Sequence, residues 1–181
     1  NGVDLARYTP ASEWQRLAAR TALGLDPAAP VAVCVGRITV QKGQDVLLSA
    51  WPRVTVRHPD ATLVIVGDGE LLTVLGRRAP AGVRFPGAAE DVRVFYAAAD
   101  VVVLPSRWEG LSLSLLEAMA CARPVVTADT PAARLLMLRR ALLAVAHETG
   151  HMFSLPHCRF YECLMNGVNS LAELDRGTPW L

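Results

Sequence analysis

The sequence predicts an α/β fold over its first 130 or so residues: a parallel sheet with helices on both faces, followed by one long helix and an irregular tail. Three observations carry this. Short apolar runs rich in Val and other β-branched residues recur along the chain, as strands buried on both faces require. Stretches with helical apolar spacing separate them. Gly or Pro closes the runs at their C-terminal ends. Strands that alternate with helices pack as a parallel sheet with crossover helices.

The first strand is Val31-Ala32-Val33-Cys34-Val35, ended by Gly36. Asp45 to Val56 follows with Val46, Leu47, Ala50, Trp51 and Val54 on one helical side, and Pro52 is expected to kink or shorten that helix. Ala61 to Val66 is the second strand, closed by Gly67-Asp68-Gly69. Glu70 to Arg78 reads as a short helix, Val83 to Phe85 as a third strand and Val92 to Ala98 as a helix. Val101 to Leu104 is the fourth strand, closed by Pro105-Ser106. Leu113 to Cys121 is a helix and Pro124 to Thr127 a fifth strand. Beyond Thr130-Pro131 the pattern changes. Arg134 to Phe153 reads as one helix with Leu135, Leu138, Leu142 and Val145 on its apolar stripe, and no element is expected over 154–181. A boundary is expected near Ala133, dividing the chain into 1–133 and 134–181.

Bulk properties narrow the classes. The chain has 181 residues, 52% of them apolar and 19% charged, with a formal net charge of +1. That balance gives no pull toward nucleic acid, and the Arg134, Arg139 and Arg140 group reads as a solvated helix face. No run of 18 apolar residues exists, so no transmembrane helix is expected. No secretory leader opens the chain, which starts Asn1-Gly2-Val3-Asp4 as an excised or processed product would. Cys34 and Cys121 sit in apolar and Ala-rich stretches and read as small buried hydrophobes. The composition is not that of a disulfide scaffold, which places the chain in a reducing compartment, the cytoplasm.

Two stretches carry candidate chemistry in the first part. A strand, the loop from Gly36 to Gly43 and a helix form the outline of a phosphate site, where free backbone N–H groups and a positive dipole end meet Arg37 and Lys42. The same arrangement taken alone is also an ordinary turn. Glu109-Gly110-Leu111-Ser112 leads into a helix that carries Glu117, eight positions after Glu109, so the two carboxylates could reach two parts of one extended ligand. By spacing alone they are equally a loop Glu and a surface Glu.

Taken together these stretches resemble the nucleotide-sugar-binding half of family 4 retaining glycosyltransferases, whose GT-B fold is built from Rossmann-like halves. The matching segments run in family order: Asn1 to Asp4, Gly36 to Gly43, Val66 to Gly69, Ala98 to Asp100, Pro105 to Gly110, Glu117 to Ala120 and Arg123 to Val126. The resemblance implies that Arg37 and Lys42 hold the donor diphosphate. It implies that Glu109 and the Gly110, Leu111 and Ser112 backbone contact sugar and phosphate, and that Glu117 binds the ribose, without a metal. Two departures stand out: the acceptor-binding half is absent, and the family's Gly-Gly turn reads Thr130-Pro131-Ala132-Ala133.

The last quarter reads differently. His147 and His151 lie four apart on one helix face, with Glu148 beside them as a general base for a metal-bound water and His157 as a third nitrogen. Three His with one position open is the pattern of a catalytic zinc. The run from His147 to His157 resembles the metzincin signature, with Ser154 where that family turns on Gly, at a cost on the order of 1–2 kcal/mol if the turn needs a positive φ. Residues 157–176 sharpen this to the archaemetzincins. That likeness implies a Met-turn at Met165 and a peptide substrate. It also makes Cys158 and Cys163 half of a structural zinc site, against the alternative of free thiols or a local bridge. The expected whole is chimera-like: a nucleotide-sugar-binding half joined near 131–136 to the zinc motif of a metallopeptidase. The alternatives are a glycosyltransferase fragment alone, a metallopeptidase on a borrowed Rossmann-like scaffold, or a non-catalytic nucleotide-sugar-binding module.

Overall fold

The computed structural model describes residues 2–136 and 138. Within them five strands, β1 (Val31–Val35), β2 (Thr62–Val66), β3 (Val83–Gly87), β4 (Val101–Leu104) and β5 (Val125–Thr127), form one sheet in the order β3-β2-β1-β4-β5. Every neighbouring pair is parallel, and Val35 stands opposite Val66 across β1 and β2. The residues that close β1, β2 and β4, namely Gly36, Gly67 and Pro105, therefore share the carboxyl edge, as the alternating pattern predicts.

Side-chain alternation along the central strands builds two cores. Val31, Val33, Val64, Val66 and Val102 face one layer, with Phe95, Tyr96, Leu115 and Met119. Ala32, Cys34, Leu63 and Ile65 face the other, with Leu47, Leu48, Trp51 and Leu75. The first layer is covered by α1 (Glu13–Ala22), α4 (Arg93–Ala98) and α5 (Leu113–Ala120), the second by α2 (Gln44–Thr55) and α3 (Leu72–Arg77). Burial of each such aliphatic or aromatic side chain contributes about 1.5–3 kcal/mol, and the buried positions of β1, β2 and β4 are accordingly all apolar. Cys34 and Cys121 are both buried free thiols, and burial pushes Cys34 up to about 12 and Cys121 to about 11.

Three details differ from the sequence-based expectation. Helix α1 was not expected, although Ser12 and Gln15 form a capping box in which Gln15 N–H donates to Ser12 Oγ at 3.2 Å and Ser12 N–H to Gln15 Oε1 at 2.8 Å. Helix α2 passes through Pro52 and ends at Thr55. Proline removes one rung of the ladder, but Trp51, only 3% exposed, and Leu48 pin the turn to the core. The helix expected from Arg134 starts earlier, since 131–136 are helical with Pro131 in the first turn. Thr130 caps it: Ala133 N–H donates to Thr130 Oγ1 at 3.3 Å. Ala133 is buried in the first core, whereas Leu135 and Leu138, placed on an apolar stripe, are exposed. The remainder of that helix, the tail, and the residues assigned to zinc (His147, Glu148, His151, His157, Cys158, Cys163 and Met165) lie outside the described residues.

The amino edge of the sheet is fastened by one charge cluster. Arg20 is 0% exposed, and its guanidinium donates to the carbonyls of Ala98, Pro27 and Ala29 at 2.9 Å each, to Asp26 O at 3.3 Å, and to Asp100 Oδ2 at 2.7 Å. Asp100 Oδ2 also accepts the Val31 N–H at 2.7 Å, and its Oδ1 pairs with Arg16. Burial opposes the Asp100 charge, but the Val31 N–H and the two guanidiniums outweigh it and hold the carboxyl below its usual range. This explains the Ala98-Ala99-Asp100 segment: the acid joins the start of β4 to the start of β1.

Candidate functional site

Strand order reverses direction between β1 and β4, so the loops that leave their carboxyl ends diverge and open a crevice. One wall is the loop from Gly36 into a single 3₁₀ turn, Val40–Lys42. The other is the segment from Pro105 to Ser112 that enters α5. Their close approach depends on glycine. At Gly43, φ is 67° and an added Cβ would lie 2.2 Å from the Pro105 carbonyl oxygen. At Gly67, behind the first loop, φ is 145° and a Cβ would lie 2.0 Å from Gly36 O. Neither position can accept a side chain without moving a backbone.

Polar bonds lace the walls together. Arg107 N–H donates to Gln41 O at 2.8 Å, Gln41 Nε2 to Trp108 O at 3.1 Å, and Arg107 Nη1 to Val40 O at 2.7 Å. Arg107 also grips Asp45 in the first turn of α2 with two bonds of 2.8 and 2.6 Å. That hydrogen-bonded guanidinium holds the Asp45 carboxyl below its usual range. Gln44, 1% exposed, supports the first loop by donating to Arg37 O at 2.9 Å.

Inside this frame Lys42 Nζ meets Glu109 Oε1 at 2.5 Å, with the two side chains only 18% and 12% exposed, and Ser106 Oγ donates to the same oxygen at 2.7 Å. A lysine and a glutamate 67 positions apart are thus brought into one pair. Arg37 lies on the same loop with its side chain exposed and forms no ion pair among the described residues. Gly110, Leu111 and Ser112 follow directly and line, with Glu109, a cleft against Thr127 and Thr130. Ser112 is the N-cap of α5 but accepts no cap bond with its side chain, which leaves the first-turn N–H groups without a side-chain partner. An uncapped helix start beside a lysine suits an anion.

Glu117, just over one turn into α5, occupies a second environment. Its Oε2 accepts from the hydroxyl of Tyr96 at 2.7 Å. Tyr96 is 0% exposed, and its ring packs edge-on to Tyr8 with centroids 6.2 Å apart. Of the seven residues expected at the donor site, the structure joins Lys42 to Glu109 and sets the 110–112 backbone beside them. Arg37 and Glu117 share no hydrogen bond or ion pair with that pair. Sequence reasoning passed over Ser106, Arg107, Gln41 and Tyr96. Ser106 and Arg107 stand in a segment whose likeness was recognised, but roles for hydroxyl and guanidinium groups emerge only when the two loops meet.

Comparison with known proteins bears on the whole chain. The family described as "Glycosyl transferases group 1" matches residues 29–153. A GDP-mannose-dependent monoacylated alpha-(1-6)-phosphatidylinositol monomannoside mannosyltransferase of Corynebacterium glutamicum is 40% identical over 138 residues, 70% of this chain and 36% of that protein. A D-inositol 3-phosphate glycosyltransferase of Rhodococcus erythropolis is 39% identical over 194 aligned positions, 98% of this chain and 42% of that protein. Among solved structures, Anabaena HepE in complex with UDP-glucose superposes with a TM-score of 0.64 at 29% identity, over 75% of this chain and 39% of that one. The chain spans about a third of the length of the first curated relatives it matches.

These matches overturn the chimera-like reading. The glycosyl transferase match crosses the expected join at 131–136 and runs through His147, Glu148 and His151, and the Rhodococcus alignment takes in nearly the entire chain. None of these matches points to a metallopeptidase, and among the described residues no group of three or more His, Cys, Asp or Glu could hold a metal ion. The physical reason is that two His four apart share a face of any helix. A zinc centre needs three or four ligands converging at about 2 Å, which a short linear pattern does not encode. The alternative reading, glycosyltransferase alone, is the one the comparisons support. With a GT-B-like sheet, a crevice at its switch point and a match across most of its length, this chain belongs to the group 1 glycosyl transferases.

Proposed function

We propose that this chain supplies the donor-binding part of a glycosyltransferase and takes a nucleoside-diphosphate sugar. The observation that carries the reading is the Lys42–Glu109 pair at the mouth of the β1/β4 crevice, beside the uncapped start of α5. A diphosphate entering there exchanges the carboxylate partner of Lys42 for its own oxygens. Arg37 adds a second cation, and the 110–112 backbone supplies neutral donors. Glu109, released by Lys42, accepts from sugar hydroxyls, and Glu117 accepts from the ribose.

In the transfer, the bond between the sugar's anomeric carbon and the diphosphate oxygen breaks, and the diphosphate leaves with the electron pair. The acceptor oxygen bonds to the same carbon and gives up its proton. The contribution of these residues is to stabilise charge on the departing diphosphate, where fixed donors in a half-buried site act more strongly than water does. The Corynebacterium relative is named for GDP-mannose and HepE was solved with UDP-glucose, so the proposal extends to the nucleoside-diphosphate hexose class. The acceptor is left to the part of the relatives that this chain does not span.

The test is calorimetric titration of the chain with GDP and UDP. Replacing Lys42 by Met or Arg37 by Ala should weaken binding about ten- to a hundredfold, the range for losing one or two charge-assisted hydrogen bonds. Equal affinity in wild type and both variants would reject the site.

A further inference from the structure

We infer that Tyr96 is a positioning residue for the donor site: its buried hydroxyl fixes Glu117 so that one carboxylate oxygen is committed to the protein and the other is presented to the ribose. The inference rests on the donor-binding reading above and adds a residue to it. Tyr96 lies on α4, which precedes the crevice strand β4, and has no exposed surface. Its hydroxyl has two acceptors in range, Glu117 Oε2 at 2.7 Å and the Ser114 carbonyl at 3.5 Å. One O–H can satisfy only one of them, and the shorter contact has the length of a charge-assisted O–H···O⁻ bond, whereas the longer is at the limit of bonding. Tyr96 makes the well-formed hydrogen bond to Glu117, on Oε2, and the Tyr8 hydroxyl also lies close enough to bond this carboxylate.

A second tyrosine holds the first in place. Asp4 folds the start of the chain into a turn, accepting from Ala6 N–H at 3.0 Å through Oδ1 and from Tyr8 N–H at 2.9 Å through its carbonyl. That turn carries Tyr8 to the Tyr96 ring, and Arg7 lies 5.9 Å from the Tyr8 ring centre. Burial, and then the Glu117 charge, push the Tyr8 phenol up to about 12 and the Tyr96 phenol higher still. Both therefore remain protonated at neutral pH, and Tyr96 remains a donor. Asp4, in a segment that resembles the family but had no role, thereby gains one: its turn brings Tyr8 to the Tyr96 ring.

A tyrosine that merely fills the core predicts something different from one that aims a carboxylate. The experiment titrates the full chain with GDP and UDP and with their 2′-deoxy and 3′-deoxy counterparts, in wild type, Glu117→Gln and Tyr96→Phe. Thermal unfolding confirms that each variant is folded, and the Phe variant keeps the ring that packs on Tyr8. The expected result is that Glu117→Gln abolishes the preference for ribose over deoxyribose. Tyr96→Phe should reduce that preference about three- to tenfold while leaving affinity for the deoxy ligands within twofold of wild type. If Glu117→Gln abolishes the preference but Tyr96→Phe leaves it intact, or weakens all ligands alike, the positioning role is overturned and the donor site stands. If Glu117→Gln itself leaves the preference unchanged, the ribose assignment falls and this inference with it.

Discussion

Strands β1 and β4 carry an ion pair at each end, and the two pairs are built to opposite specifications. At the amino edge Arg20 has a protein acceptor for every part of its guanidinium, four carbonyls and Asp100, and no exposed surface. At the carboxyl edge Lys42 has three N–H donors and one bonded partner among the described residues, and Glu109 receives both of its bonds on a single oxygen. In the first pair every guanidinium nitrogen has a protein acceptor and the group holds the fold. The second has capacity left over, half-shielded from water, at the place where a parallel sheet opens. The difference teaches how to separate structural from ligand-binding charge in this molecule: by unfilled hydrogen-bonding capacity rather than by burial or by the presence of a salt bridge.

The comparison breaks most directly at Arg20. Arg20→Ala removes the guanidinium from four carbonyls and leaves Asp100 with Arg16 as its remaining cation, and the expected cost is about 1.5–3 kcal/mol, the range for a lost hydrogen bond to a charged group. Urea unfolding followed by circular dichroism measures it, and a loss below about 1 kcal/mol would refute the structural role. Lys42→Met should show the reverse signature: the fall in nucleotide affinity described above, with a smaller loss of unfolding free energy than Arg20→Ala, since Ser106 still donates to Glu109. Equal losses of stability in the two variants would erase the distinction between the edges.

Acid titration sharpens the same contrast. Asp45 and Asp100 are held below the usual carboxylate range, and Asp91, hydrogen-bonded to Arg93, lies at about 2. A carboxyl depressed in the folded state stabilises it above the unfolded value of about 3.9 and ceases to do so as pH falls through the folded value. The unfolding midpoint should therefore drop between about pH 4 and pH 2. Asp100→Asn should lower stability at neutral pH and flatten this acid limb, and an unchanged limb would remove Asp100 from the network.

The smallest expected effect is a gain. Helix α5 ends with Arg123 N–H donating to Ala118 O at 2.9 Å and Ala122 N–H to Met119 O at 3.0 Å, with Ala122 left-handed at φ 53°. This is the position glycine favours. Ala122→Gly should add about 0.5–1 kcal/mol by relieving that conformation, net of glycine's greater chain entropy. Arg123 ties this turn to Ala99 O at 3.1 Å, next to Asp100, so the gain belongs to the amino edge and nucleotide affinity should not move.

How much of this was legible beforehand follows from range. The β1 boundaries are those read from the apolar run Val31 to Val35, and the run Val101 to Leu104 is β4, because burial on both faces forces an unbroken apolar string. The capping box of α1 was also present in the letters Ser12 and Gln15 and went unread, because the face that α1 buries is built on Ala19 and Arg20 rather than on large aliphatic residues. The His147 to His157 run misled for the converse reason: a local pattern of ligand types carries no information on whether the ligands converge.

The sequence by itself determined the parallel α/β class, the shared edge of Gly36, Gly67 and Pro105, and, through ordered short motifs, the glycosyltransferase kinship. These depend on periodicities and turn residues within a few positions of one another. Only the tertiary structure decided that Lys42 meets Glu109 across 67 positions, that Arg20 is sealed by carbonyls from two segments, and that Tyr96 bonds Glu117 across 21. Those partners are chosen by sheet order and helix packing. Arg16 and Arg20, or Glu109 and Glu117, look alike as letters, and what separates them is which unpaired donors and acceptors the fold brings within 3 Å.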